Sequence, residues 1–234
     1  MPAIAAHRRA GGGTRGERLL RLIGQSAEVA VSLAAVAPSA TEICGGVLDA
    51  GASAALEELT ASQSFSEDDR VGGEQIVPVA AAATALKSGP KTRSYLCAGK
   101  ASDSHTTGNF QISARWEQSK PGDQRWASDD HWSAFDVAGA GRKTAEFPYA
   151  SASAKSGVLE FTCPVGPGKQ NGMLLSVDMM SFLLAQSDTE GKAPELLVRV
   201  MHPIAKSLAQ QMGCLTVSQL PTTLGEPTPL PPVK

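Results

Sequence analysis

Several common signatures are missing from these 234 residues, and each absence narrows what the chain can be. Aromatic residues make up only 5% of it, so a core must be assembled from Ala, Val and Leu rather than from large rings. No stretch supplies the roughly 20 consecutive apolar residues that a membrane-spanning helix needs. There is no C-x-x-C, which removes zinc ribbons and thioredoxin-type redox motifs. No G-x-S-x-G marks a nucleophile elbow. The S-x-x-K match Ser88-Gly89-Pro90-Lys91 places Gly-Pro where acyl-enzyme chemistry needs Ser and Lys on one helix face, so we reject it. A basic stripe is absent as well. Of 21 basic and 23 acidic residues, five arginines and two glutamates lie in the first 40, leaving the body at 16 against 21 and a net charge of −5. Such a surface does not neutralise phosphates, and no nucleic-acid partner is expected.

Four cysteines are present, Cys44, Cys97, Cys163 and Cys214, at separations of 53, 66 and 51. An even number of widely spaced cysteines fits two disulfides in an oxidising compartment, with all three connectivities open to the residues alone. The N-terminus bears on the compartment. Residues 1–21 carry five arginines against one acid, and "VAVSLAAVA" (Val29–Ala37) is followed by Pro38-Ser39-Ala40. A basic n-region, a short apolar h-region and a small-residue site have the order of a secretory signal. Ala37-Pro38-Ser39 then reads as the cleavage pattern, with Ala40 first in the mature chain. The competing reading is an amphipathic helix, because Leu20, Ile23, Ala27, Ala30 and Ala34 recur at helical spacing. Thr41-Glu42-Ile43 before Cys44 is not a lipobox. Attachment to a membrane is open only through the N-terminal segment itself.

Periodicity predicts an α+β fold: an antiparallel sheet of about four to five strands, two N-terminal helices and a long C-terminal helix. The helices fall at about Ala52–Leu59, Glu74–Lys87 and Pro194–Met212, the last capped by Gly213 and interrupted by Pro203. Strands are expected in "TRSYLCAG", in "GNFQISARWEQ" (Phe110, Ile112, Ala114 and Trp116 alternate with polar residues), in "SGVLEFTCPV" and in "GMLLSVDMMSFLLA". "TAEFPYA" reads as an edge strand because Pro148 cannot donate to a ladder. A long loop, with a helical turn near Trp132, fills the interval before it. Domain organisation is therefore 1–39 signal peptide or N-terminal anchor, 40–219 one α+β domain, and 220–234 a Pro-rich disordered tail with no core to offer.

The run "CGGVLDAGASAALEEL", then "YLCAG" with an alternating strand, then "GVLEFTCPV" and a closing "IAKSLAQQMGC" resembles a group of secreted or membrane-anchored actinobacterial proteins of unknown function. It is more distantly similar to the two-disulfide lipoprotein and sensor-type domains of mycobacteria. The resemblance covers about Cys44 to Cys214. It implies an exported domain with Cys44–Cys97 and Cys163–Cys214 bonded, and it carries over no catalytic residue.

Function is expected to be binding or structural support at the cell envelope rather than catalysis, with no cofactor, no metal and an unidentified extracellular or envelope ligand. The candidate contact surface is "RWEQSKPGDQRWASDDHWSAF", which holds all three tryptophans. Within it Arg125, Trp126, His131 and Trp132 are the candidate binding residues, since aromatics at a surface offer stacking area. The bland alternative puts Trp116 in the strand's apolar face and Trp126 and Trp132 over the core. A second function class, a secreted hydrolase, would use His105 or His131 with a neighbouring carboxylate or serine. His7 falls in the presumed signal, and His202 on the last helix reads as a packing or surface residue.

Overall fold

Asp49 starts the first helix: its extended backbone turns the chain, and its carboxylate accepts from the Ala52 amide at 2.9 Å, satisfying one of the orphan donors every helix start exposes. Helix α1 (Ala50–Thr60) follows, burying Ala52, Ala55, Leu56 and Leu59. In the computed structural model, residues 37–90, 93–102, 108–118, 132–138, 147–169, 173–182 and 191–230 are described. They belong to one compact unit, Val36–Lys234. The expected signal segment lies almost wholly outside the described residues. Pro38 and Ser39 already take part in the fold: the Pro38 carbonyl accepts from Phe65 and the Ser39 amide donates to Glu42.

After α1 come β1 (Phe65–Glu67), β2 (Arg70–Val71) and β3 (Glu74–Gln75). The last two form a small hairpin closed by Gly72 and Gly73, whose φ angles of 57° and 90° are those a two-residue hairpin turn demands. Helix α2 (Val79–Ser88) therefore begins after Pro78, five residues later than its apolar pattern predicts. Next are β4 (Arg93–Ala101), β5 (Asn109–Gln118), β6 (Ser133–Asp136), β7 (Tyr149–Ala152), β8 (Ser156–Phe161) and β9 (Met173–Ser181). Helix α3 (Ala193–Met212), the short α4 (Leu215–Ser218) and β10 (Thr228–Pro229) close the chain.

The class is α+β, as expected, but among the described residues the main sheet holds eight antiparallel strands rather than four or five, in the order β1-β4-β5-β9-β8-β7-β6-β10. Four helices accompany it, not three. The strands beyond the expected five are β1, β6 and β10, and the additional helix is α4. Residues 119–131, where a helical turn is expected, lie outside the described residues, and Trp132 leads directly into β6. Strand β7 is interior, between β8 and β6, because Pro148 precedes its first residue and the missing donor falls outside the ladder. Residues 220–230 also contribute to the domain: Leu220 is buried in the core, and Thr228 and Pro229 pair with Asp136 and Phe135.

One face of the sheet is the core face. Phe110, Ile112, Ala114 and Trp116 on β5, Leu175, Val177 and Met179 on β9, and Leu159 and Phe161 on β8 share it and are buried. Helix α3 packs across β7, β8 and β9 on that face, and α1 and α2 pack on α3. Pro203 sits inside α3, which continues unbroken through it, and Gly213 caps the helix in the left-handed conformation (φ 80°). Two disulfides staple the margins: Cys44–Cys97 and Cys163–Cys214, the pairing that the resemblance implies. A register shift between Tyr95 and Cys97 makes the first one possible. Without the extra residue Leu96, Cys97 would fall on the opposite face; the bulge turns it inward, opposite Ile112.

Candidate functional site

The face of the sheet turned away from α3 is polar. Strand register assembles it in rows, because residues directly opposite in an antiparallel pair project to the same side. One row runs Arg93, Arg115, Ser176, Glu160, Tyr149, Asp136 across β4, β5, β9, β8, β7 and β6. The neighbouring row places Ser113, Asp178, Val158 and Ser151 side by side. Several of these groups are deeply buried: Ser176 is 0%, Glu160 3% and Ser113 7% exposed.

At the β4–β5–β9–β8 part of this face lies a half-open cleft of about 200 Å³, bordered by Arg93, Gln111, Ser113, Arg115, Trp132, Val158, Asp178 and Met180. Arg115 is its electrostatic centre. Arg115 Nε lies 2.9 Å from Asp178 Oδ2, and Arg115 Nη2 lies 3.4 Å from Glu117. The Arg115–Asp178 contact is an ion pair without an aligned hydrogen bond, since both buried atoms lack a donor–acceptor partner of acceptable angle. Ser176 donates to the other Asp178 oxygen at 3.0 Å. Burial pushes the Asp178 carboxyl upward, and the Arg115 guanidinium opposes that shift. Glu160 is also raised, chiefly by burial, against a hydrogen bond from Tyr149.

Arg115 Nε and Asp178 Oδ2 thus satisfy each other by charge rather than by an aligned hydrogen bond, and Ser151 Oγ, in the same row as Asp178, has no hydrogen-bond partner among the described residues.

A larger cavity of about 480 Å³ lies at the start of α1, between Asp49, Arg199, His202, Lys206 and Thr222. Its charges are already engaged. Asp49 caps α1, Arg199 is held by Glu195 at 2.7 Å, and Lys206 donates to the Thr222 carbonyl at 2.7 Å. His202 is buried, with Nε2 3.1 Å from the Pro221 carbonyl. A carbonyl only accepts, so Nε2 carries the proton in that bond. Burial, then the nearby Lys206, lower its pKa and favour the neutral ring. His202 is thus a packing residue that fastens 219–222 to α3.

Of the candidate binding residues, Trp132 borders the cleft, whereas Arg125, Trp126 and His131 lie outside the described residues, as does His105. Trp116 belongs to the core face, 5% exposed, and donates its indole N–H to the Leu86 carbonyl at 2.8 Å. The cleft's Arg93, Arg115 and Asp178 were not singled out from the sequence, although the polar alternation Gln111, Ser113, Arg115, Glu117 already set one face of β5 apart.

No protein-family model, curated protein or solved structure matches this chain. The chemistry must therefore be read from the site. Among the described residues His202 is the only histidine, and it sits on α3, behind the opposite face of the sheet from the cleft. No group of three or more His, Cys, Asp or Glu side chains is arranged to hold a metal ion among the described residues. No described helix is long and apolar enough to cross a membrane. What the cleft does offer is hydrogen bonding and charge on one side, with Val158, Met180 and Trp132 forming an apolar wall on the other.

Proposed function

We propose that this chain is an exported domain, secreted or held at the cell surface, that acts by binding an extracellular or envelope ligand rather than by catalysis, and that the cleft on the outward sheet face is its ligand site. The observation that carries the binding reading is a cleft on the outward face that sets the buried Arg115–Asp178 ion pair beside Arg93 and an apolar wall of Val158, Met180 and Trp132. In a sheet needed only for stability, such groups cost free energy with no return. Two disulfides support the oxidising compartment, and the Arg-rich start with its short apolar run supports export by way of the N-terminal segment. The order of the cysteine-bearing segments supports kinship with the exported actinobacterial proteins that the sequence resembles.

Compartment and site are tested separately. Intact mass of the protein from its native host, by cell fraction, should show an extracytoplasmic form lacking the N-terminal segment and gaining about two mass units per disulfide on reduction. A full-length cytosolic chain with four free thiols would end the export reading. For the site, Trp132→Ala and Arg115→Gln should both remain folded and lose binding of envelope-derived ligands. Retention of full affinity in both variants would remove the cleft as the binding site.

A further inference from the structure

On the reading that the outward cleft is a ligand site, we infer that its ligand is a small organic monoanion, a carboxylate on an apolar body, with the carboxylate seated between Arg93 and Arg115. The argument begins with a local conflict. Arg93 and Arg115 are directly opposite in the β4–β5 ladder and project to the same face. Like charges in that position repel, and a sheet gains nothing from them. Arg115 is balanced by Asp178 at 2.9 Å and Glu117 at 3.4 Å. Arg93 is exposed and makes no ion pair among the described residues. Arg115 is therefore engaged on two sides, and Arg93 is the cation of the cleft wall that has no carboxylate of its own among the described residues.

A ligand of single negative charge relieves the repulsion and gives Arg93 a partner. The planar guanidinium fork matches a carboxylate in bidentate fashion. A cation would have to displace Arg115 from Asp178, and a dianion would bring a second negative charge beside Asp178 and Glu117, which already balance Arg115. The rest of the ligand follows from the wall and the space. Val158, Met180 and Trp132 border the cleft, and the apolar surface continues outward, with Met180 43% and Phe182 57% exposed. A volume of about 200 Å³ exceeds the roughly 150 Å³ cavity that accepts benzene. One ring or a short alkyl chain fits, and the open side lets a longer tail project.

The test is a titration of the full chain at low salt, followed through backbone amide resonances, with benzoate, phenylacetate and hexanoate against benzamide, phenylacetamide and hexanamide. The carboxylates should shift Gln111, Ser113, Val158 and Met180, saturate in the millimolar range, and weaken as salt is raised. The matched amides should bind at least about tenfold more weakly, and Arg93→Gln should cost the carboxylates about tenfold while Arg93→Lys retains part of the affinity. In the ligand-free protein Arg93→Gln should leave the unfolding midpoint unchanged or higher, which a supporting structural arginine would not do. Amides that bind in the cleft as tightly as acids, or an Arg93→Gln variant with undiminished affinity, would overturn the anionic ligand and leave the cleft standing. No shift at these residues with any of the six compounds up to about 20 mM, well above the millimolar affinities expected here, would overturn the ligand class and the cleft together.

Discussion

Breaking the Cys163–Cys214 disulfide should remove about 4 kcal/mol of stability, and the figure follows from where the bond sits. Cys163 lies just past β8 and Cys214 just past the Gly213 cap of α3, both nearly fully buried. The link fixes the end of the helix that covers the core face to the strand beneath it. It closes a loop of 51 residues, and the loss of chain entropy in the unfolded state for a loop of that length is worth about 4 kcal/mol at 25 °C in the loop-closure account. The Cys44–Cys97 loop, at 53 residues, is worth the same within error. The two loops do not overlap in sequence, so their effects should add to about 8 kcal/mol. That is comparable with the entire stability of an ordinary domain, about 5–15 kcal/mol. The assay is equilibrium guanidinium unfolding of Cys163→Ala/Cys214→Ala, of Cys44→Ala/Cys97→Ala, and of the reduced parent chain. Each pair deletion should lower stability by about 4 kcal/mol with a somewhat larger m-value, because an unlinked denatured chain exposes more surface. Full reduction should leave the protein largely unfolded at 37 °C. A pair deletion costing less than about 1 kcal/mol, or two deletions differing by more than about 2 kcal/mol, would refute loop closure as the controlling term.

Glu160→Gln should stabilise the protein by on the order of 1 kcal/mol at pH 8, since a neutral amide still accepts from Tyr149 without the cost of a buried charge. The folded-state pKa of Glu160 is raised above its ordinary 4.5, so its contribution is fully present below that value and is lost as pH rises through the folded pKa. The gain in the variant should therefore vanish near pH 4, and thermal unfolding at both pH values checks it; a variant less stable at pH 8 would contradict the assignment. Trp116→Phe should cost about 1–3 kcal/mol, because it strips the indole donor from the Leu86 carbonyl, whose helical partner four residues on is Pro90 and has no N–H. Urea unfolding measures it. Gly168→Ala should cost roughly 3 kcal/mol or more, since a Cβ there would collide with the Cys163 carbonyl oxygen and lie 2.6 Å from the Trp116 ring. A shift in the unfolding midpoint of less than one degree would show that this loop yields.

What the sequence disclosed depends on how local each signal is. Helix α3 was readable because Leu197, Val200, Met201, Ile204, Leu208 and Met212 repeat along one face and Gly213 ends it, all within twenty residues. Strand β5 was readable from the alternation of Phe110, Ile112, Ala114 and Trp116. The start of α2 is masked locally because Glu74 and Gln75 are good helix formers. The adjacent Gly72-Gly73, a hairpin signal, was the better guide. Strands β6 and β10 carry no local mark at all: Phe135 meets Pro229 across more than ninety residues, and only the closed sheet brings them together. The Cys97 bulge is equally silent, since one inserted residue reverses the alternation of β4 on either side of it.

The same logic explains why the cleft escaped a search for catalytic spacings. Arg93 and Arg115 become opposed only through the β4–β5 register, and Asp178 reaches Arg115 only because β9, more than sixty residues later, inserts beside β5. Nothing in core packing requires that outcome. The core face is complete with apolar side chains from β5, β8 and β9 against α3, and a stable sheet could present ordinary solvated residues on its other side. Instead that side holds buried Ser176, Glu160 and Ser151, a carboxyl forced upward in pKa, and two arginines set against each other. Departures from local consistency collect where a protein does something besides fold. Here they collect in two adjacent rows of one sheet face, next to an apolar wall. The disulfides fit the same division of labour. By constraining the unfolded chain they supply stability that the Ala-rich core lacks, and so let the outward face tolerate buried charge and two opposed arginines.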